Sequence, residues 1–197
     1  MARDRSDRPE AKPLRLFVAV DVPEDVKASL TEAIAPFRDR IPGARWTRQV
    51  GWHVTLKFLG STWPRLVEPV KEAVGEAAGS AAPFRAELTE LGAFPSARRA
   101  RVLWAGLSDP DGRFASVVTS LDGLLEEDFQ PEKRAFTPHL TVARLQTPRA
   151  LDEFVPEFAG LGVSSRAFDV GALVLYQSHL SRQGSTYEPL LTAPFTG

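Results

Sequence analysis

Two short stretches of the chain set an imidazole beside a hydroxyl: His53-Val54-Thr55-Leu56 and His139-Leu140-Thr141-Val142. Successive side chains of a strand point to opposite faces, so each His shares a face with the Thr two residues on, while Val54/Leu56 and Leu140/Val142 face the other way. An imidazole changes charge near neutral pH, and a threonine hydroxyl is a small neutral donor. Two such pairs brought together divide acid and base duties, one deprotonating the nucleophile and the other protonating the leaving oxygen. The hydroxyls beside them suit the non-bridging oxygens of a phosphate, where charge develops during reaction. The substrate atom this best fits is phosphorus.

The spacing points to a duplication. An offset of 86 residues carries the first motif onto the second and also aligns Arg15-Leu16-Phe17-Val18-Ala19 with Arg101-Val102-Leu103-Trp104-Ala105. Two strands repeated in one register imply two similar lobes facing each other across a pseudo-twofold axis, with the histidines meeting in the cleft. Lys57 has the parity of His53 and Thr55 and is a second-rank candidate for substrate binding; a solvated lysine at a strand end is the competing reading. Arg144 breaks parity with His139 and Thr141, so a regular strand turns it away from the site unless a bulge re-aims it. The third histidine, His179, has no companion Thr and reads as a surface or structural residue. Arg98, Arg99 and Arg101 form a basic cluster that serves RNA only if its loop overhangs the cleft.

Competing chemistries lack their defining residues. No P-loop, no G-x-G-x-x-G after a strand and no G-x-S-x-G occurs, which leaves nucleoside-triphosphate, dinucleotide and α/β-hydrolase readings without support. Cysteine is absent, so disulfides, thiolate metal sites and cysteine nucleophiles are excluded. Zinc needs a third or fourth ligand at close spacing, and neither H-x-T supplies one. No metal and no cofactor is expected. A formal net charge of −1 gives no overall basic field, so any RNA contact comes from a local patch.

The elements that must position these residues follow from periodicity. Leu14 to Val20 reads as a strand, and Val26, Leu30, Ile34, Phe37 and Ile41 mark one helical face that Pro36 should end or kink early. Ala44 to Val50 reads as a short strand, Trp52 to Leu59 as the first motif strand, and Leu66 to Ala77 as a helix; Phe84 to Thr89 alternates as a half-buried strand. The order then repeats: a strand over Val102 to Leu107, a helix opening at Asp109, and the second motif strand over Phe136 to Leu145. A helix follows around Leu151, Phe154 and Phe158, then paired strands from Arg166 to Leu180 and Ser185 to Leu191 joined through Gly184. Residues 1–13 read as a flexible, untargeted tail, residues 14–197 as one bilobal domain with internal repeats at about 14–92 and 100–180, and the protein as cytoplasmic. No uncharged apolar run approaches a membrane span.

With these pieces in hand the chain resembles the two-histidine phosphoesterase superfamily, and within it the RNA 2',3'-cyclic phosphodiesterase or 2'-5' RNA ligase family. The likeness rests on Arg15 to Val20, His53 to Gly60, Phe136 to Arg144 and Leu175-Tyr176-Gln177-Ser178, and covers nearly the whole chain. It implies an α+β fold, bilobal and duplicated, with two antiparallel sheets facing across a central cleft and helices on the outer faces. It implies metal-independent hydrolysis of RNA-terminal 2',3'-cyclic phosphate to a 2'-phosphomonoester and reversible 2'-5' ligation. The partners implied are RNA ends or oligonucleotides bearing the cyclic phosphate, with no membrane and no obligate protein partner. Carried onto this chain, His53 is the proton donor, His139 the proton acceptor, and Thr55 and Thr141 hold phosphate oxygens. The motifs alone would serve any small cyclic phosphate. A phosphodiesterase for cyclic nucleotides or ADP-ribose cyclic phosphate, and a nucleotide-binding module without turnover, are therefore the alternatives, and the cleft walls decide among them.

Overall fold

The computed structural model describes residues 12–160, 167–181 and 184–197. The expectation for the tail therefore falls mostly outside the described residues, as do Arg166, expected to open a strand, and the two residues before Gly184. The chain runs β1 (Leu14–Asp21), α1 (Glu24–Ile34), β2 (Ala44–Trp46), β3 (His53–Thr62), α2 (Val67–Gly79), β4 (Phe84–Ala86) and β5 (Leu88–Phe94). It continues through β6 (Ala100–Leu107), α3 (Arg113–Leu124), β7 (His139–Arg149), α4 (Val155–Gly160), β8 (Phe168–Val170), β9 (Ala172–Ser181) and β10 (Gly184–Pro194).

Strand order accounts for the architecture. The main path is β10-β9-β1-β3-β7-β6-β5, with β2 also on β7, and a separate ribbon pairs β4 with β8. At the centre β3 and β7 meet through a single pair, Val54 with Leu140; β2 then occupies that edge of β7 from Ala143 to Leu145. Two antiparallel sheets thus touch at one point and part on either side of it. Read outward from this point, the order β3, β1, β9 on one side mirrors β7, β6, β5 on the other. β5 lies beside β6, and β9 beside β1. Each sheet is completed by a strand from the other half of the sequence.

The helices behave in the same way. Helix α2 packs on β9 and β10, α3 on β3, and α4 on β5. Phe37, just after α1, meets Phe154 and Phe158 edge-on at centroid distances of 6.0 and 5.2 Å. The apolar faces read from the sequence are buried, including Val26, Leu30 and Ile34 of α1, Val70, Val74 and Ala77 of α2, and Phe114, Val117 and Leu121 of α3. Burial of these periodic faces, about 1.5–3 kcal/mol for each large side chain, is what fixes the helices to the sheets.

Several boundaries differ from expectation for local reasons. Helix α1 stops at Ile34, and Ala35–Phe37 continues as a 3-10 turn around Pro36, which has no backbone N–H to donate; Phe37 and Ile41 are buried nonetheless. Asp109 precedes α3 and caps it: its carboxylate accepts from the Phe114 and Ala115 amides at 3.1 and 3.2 Å. The strand expected over Ala44 to Val50 is only Ala44–Trp46, since Gln49–Gly51 turns back as a 3-10 segment. The second motif strand begins at His139, not Phe136.

Candidate active site

A cavity of about 580 Å³ opens where the two sheets part, and His53, Thr55, His139 and Thr141 all line it. The antiparallel contact of Val54 with Leu140 explains how the motifs converge. Their flanking residues cross over, His53 falling on the side of Thr141 and Thr55 on that of His139. All four polar side chains are half-buried, whereas Val54, Leu56, Leu140 and Val142 are buried behind them. The alternation expected of each motif therefore holds.

Both motif strands break that alternation at the same place. Thr55 pairs with Ala19 and Lys57 with Val18, so Leu56 is an extra residue; Thr141 pairs with Trp104 and Ala143 with Leu103, so Val142 is extra. A bulge shifts every later side chain to the other face. Lys57 is consequently buried at 3% exposure with its ammonium ion-paired to Asp122 of α3. This corrects the parity reading of Lys57: it forms part of the cavity wall, but on the helix side of the sheet, with its charge already met. Arg144 gains what Lys57 loses, because the bulge turns it onto the face of His139 and Thr141, where it is exposed and lines the cavity. The corresponding position in the first half is Phe58, 61% exposed. Thr47 holds the second bulge: its hydroxyl lies 2.9 Å from the carbonyls of both Thr141 and Val142 and accepts from Trp52 Nε1 at 2.6 Å.

Each imidazole is anchored by the residue two before it. His139 Nδ1 lies 2.7 Å from the Thr137 carbonyl oxygen, and His53 donates a hydrogen bond to the Gly51 backbone. With the Nδ1 proton of His139 so committed, Nε2 is the ring nitrogen left to exchange a proton with a ligand.

The surroundings then diverge. His53 stacks on Phe17 at 4.7 Å, with Tyr187 edge-on at 5.0 Å and Tyr176 at 6.0 Å. Burial pushes its pKa down to about 4, outweighing the opposing charge of Asp21 and the bond to Gly51. Asp21, the last residue of β1, sits directly opposite His53 on β3 and accepts from the Tyr176 hydroxyl at 2.7 Å, and burial, with that bond behind it, raises the Tyr176 phenol. His139 instead meets Phe94 edge-on at 5.1 Å and Trp104 at 6.4 Å. The Trp104 indole lies over Gly92, where an added Cβ would come within 2.2 Å of the ring. Glycine is needed there because nothing larger leaves the indole its place beside His139.

The remaining candidates fall away from the cavity. None of Arg98, Arg99 and Arg101 lines it, and Arg98 lies 3.6 Å from Asp152. His179 is exposed and 2.8 Å from Glu188 on the neighbouring strand. Among the described residues no three His, Cys, Asp or Glu side chains gather as a metal-holding group, and no helix is long and apolar enough to cross a membrane. Sequence reasoning missed Arg134, Phe94 and Phe136, which line the cavity, and the aromatic set around His53. Arg134 and Phe136 lay within five residues of His139 and were within reach of a local reading; Phe94, Tyr176 and Tyr187 arrive through strand order alone.

Comparison with known proteins agrees with this geometry. The LigT-like phosphoesterase family matches residues 20–104 and 107–187. An RNA 2',3'-cyclic phosphodiesterase of Aeropyrum pernix is 36% identical over 143 residues, 71% of this chain and 79% of that one. Another, from Geobacillus stearothermophilus, is 28% identical over 92% of this chain, which spans only 57% of that relative's length. The crystal structure of TT0787 from Thermus thermophilus superposes with a TM-score of 0.77 at 27% identity, covering 93% of this chain and 99% of that one. The paired motifs, the mirrored strand order and these matches agree, and the chain belongs to the LigT-like phosphoesterase family.

Proposed function

We propose that the protein hydrolyses RNA-terminal 2',3'-cyclic phosphate to a 2'-phosphomonoester with His53 as proton donor and His139 as proton acceptor, without a metal ion, and that reversible 2'-5' ligation is the same displacement at phosphorus with an RNA 5'-hydroxyl in place of water. The observation that carries the reading is the convergence of both His-x-Thr motifs on one cavity, each ring anchored through a backbone group two residues earlier. The names of the matched relatives support the substrate, and the lack of cysteine supports a cytoplasmic setting.

In this reading His139 Nε2 removes a proton from water as the oxygen attacks phosphorus. His53 gives its proton to the 3'-oxygen as the phosphorus–oxygen bond breaks, leaving the phosphate on the 2'-oxygen. Thr55 and Thr141 donate to the non-bridging oxygens, where charge develops. A donor must carry its proton when the substrate is bound, whereas burial by the protein alone favours neutral His53. The phosphate anion supplies the missing charge: negative charge beside a buried imidazole favours its protonated form and raises the pKa. Because the ring of the substrate is closed by its own 2'-oxygen, DNA ends are not substrates.

Incubating a ribodinucleotide that ends in 2',3'-cyclic phosphate, with excess chelator present, and following phosphorus NMR tests this. A 2'-phosphate product is expected at an undiminished rate. No turnover, or a loss restored by added metal, contradicts the reading, and a predominant 3'-phosphate reverses the substrate's orientation.

A further inference from the structure

The pairing of β2 with β7 sets Arg45 directly across from Arg144. Residues opposite each other on neighbouring antiparallel strands share a face, with Cβ atoms about 5 Å apart, and like charges placed so are destabilising. Both side chains are exposed, and among the described residues neither guanidinium has a carboxylate, carbonyl or ring partner. Some arginines elsewhere are paired, Arg40 with Glu157 at 2.6 Å, Arg98 with Asp152 at 3.6 Å and Arg149 with the Pro42 carbonyl at 3.0 Å, but these do not stand opposite another cation. Two cations placed side by side without a counter-charge form a cradle for an anion, since guanidinium groups bind phosphate oxygens through paired, charge-assisted hydrogen bonds.

The position of the pair says which anion. Arg144 lines the cavity with His139 and Thr141, and Arg45 stands one strand further out, roughly 5 Å beyond it and outside the cavity lining. The bulge at Val142 leaves Arg144 only two effective strand positions from Thr141, roughly 7 Å. An anion held between the arginines is therefore a different phosphate from the one at the histidines, at a distance a nucleotide chain can span. Resting on the proposed activity, we infer that Arg45 and Arg144 together bind the internucleotide phosphate on the 5' side of the terminal nucleotide. The site thereby selects an RNA end over a free cyclic mononucleotide. Arg134 adds a further cation to the cavity wall, and Glu132 is the acidic group there that lacks the committed partner Asp122 has in Lys57.

The test compares kcat/KM for a ribodinucleotide with a 2',3'-cyclic end against the cyclic mononucleotide, in wild type and in Arg45→Met, which keeps an apolar stem while removing the charge. The dinucleotide-to-mononucleotide ratio should fall about tenfold in Arg45→Met and recover in part in Arg45→Lys. With an uncharged methylphosphonate linkage the wild-type ratio should fall similarly, and Arg45→Met should cause no further loss. A ratio that Arg45→Met leaves at its wild-type value, or an equal Arg45→Met effect on the charged and uncharged linkages, overturns the inference. Arg45 is exposed and removing it relieves repulsion, so an unchanged or higher Tm is expected. Should neither substrate turn over, fluorescence titration with a labelled dinucleotide bearing a 2'-phosphate end separates the two ideas. Arg45-dependent binding upholds the subsite while the catalytic reading fails, and Arg45-independent binding rejects it.

Discussion

The two halves of the site begin from the same sequence device and end in different environments. In both, a His-x-Thr strand hangs its imidazole from the backbone two residues earlier, buries the alternate residues, and bulges at the fourth motif position. Beyond the bulge they part. The first half presents Phe58 and sinks Lys57 against Asp122, while the second presents Arg144. His53 is packed among Phe17, Tyr176 and Tyr187, and His139 beside Phe94 and Trp104. Duplication yields two equivalent imidazoles, but acid–base catalysis needs unlike ones. The side chains that make them unlike stand around the motifs, not in them.

Changes at the shared device should cost the most. His53→Ala and His139→Ala are each expected to lower kcat for the cyclic substrate by about 10²–10⁴ with circular dichroism unchanged, because each removes one proton transfer. Next comes the residue that distinguishes the halves: Arg144→Ala should reduce kcat/KM about tenfold to a hundredfold.

The buried cation of the first half should affect stability more than rate. Lys57→Met leaves Asp122 unpaired against an apolar wall and is expected to lower unfolding free energy by about 1–3 kcal/mol, read as a drop in Tm. A large fall in kcat at unchanged Tm would instead give Lys57 a role at the phosphate.

The smallest effect is one of pH. Burial holds free His53 near a pKa of about 4, so the kcat/KM profile, which reports the free enzyme, should carry a limb near that pH. In kcat the same limb should move upward, since bound phosphate favours the imidazolium. Stability follows the same group: a histidine whose folded pKa lies below its unfolded value is neutral in both states at high pH. Its contribution is lost as pH falls from about 6.5 towards 4. His53→Gln should flatten that part of the stability curve.

The motif residues and the helical faces were legible because each depends on short-range periodicity. His53, Thr55, His139 and Thr141 needed only the twofold alternation of a strand, and Val26, Leu30 and Ile34 only the helical repeat. Lys57 and Arg144 were misaimed or left open because a single inserted residue inverts the alternation, and nothing local in Val54-Thr55-Leu56-Lys57 distinguishes a bulge from a straight strand. The aromatic surroundings of His53 were hidden for a different reason. Tyr176 and Tyr187 reach it because β9 and β10 extend the sheet past β1, a strand exchange between halves that periodicity cannot express. The offset of 86 residues showed the duplication but not that each sheet borrows a strand from the other half.

The division of labour between the two imidazoles is tested most directly with a leaving group that needs no proton. In a 3'-deoxynucleoside 2'-(nitrophenyl phosphate), nitrophenolate stands in for the departing 3'-oxygen and leaves as the anion. If His53 is the donor, the His53→Ala defect should shrink by about a hundredfold on this substrate relative to the cyclic phosphate, while the His139→Ala defect persists. Rescue of His139→Ala in place of His53→Ala would reverse the roles, and equal, undiminished defects in both variants would contradict acid–base division between the two histidines.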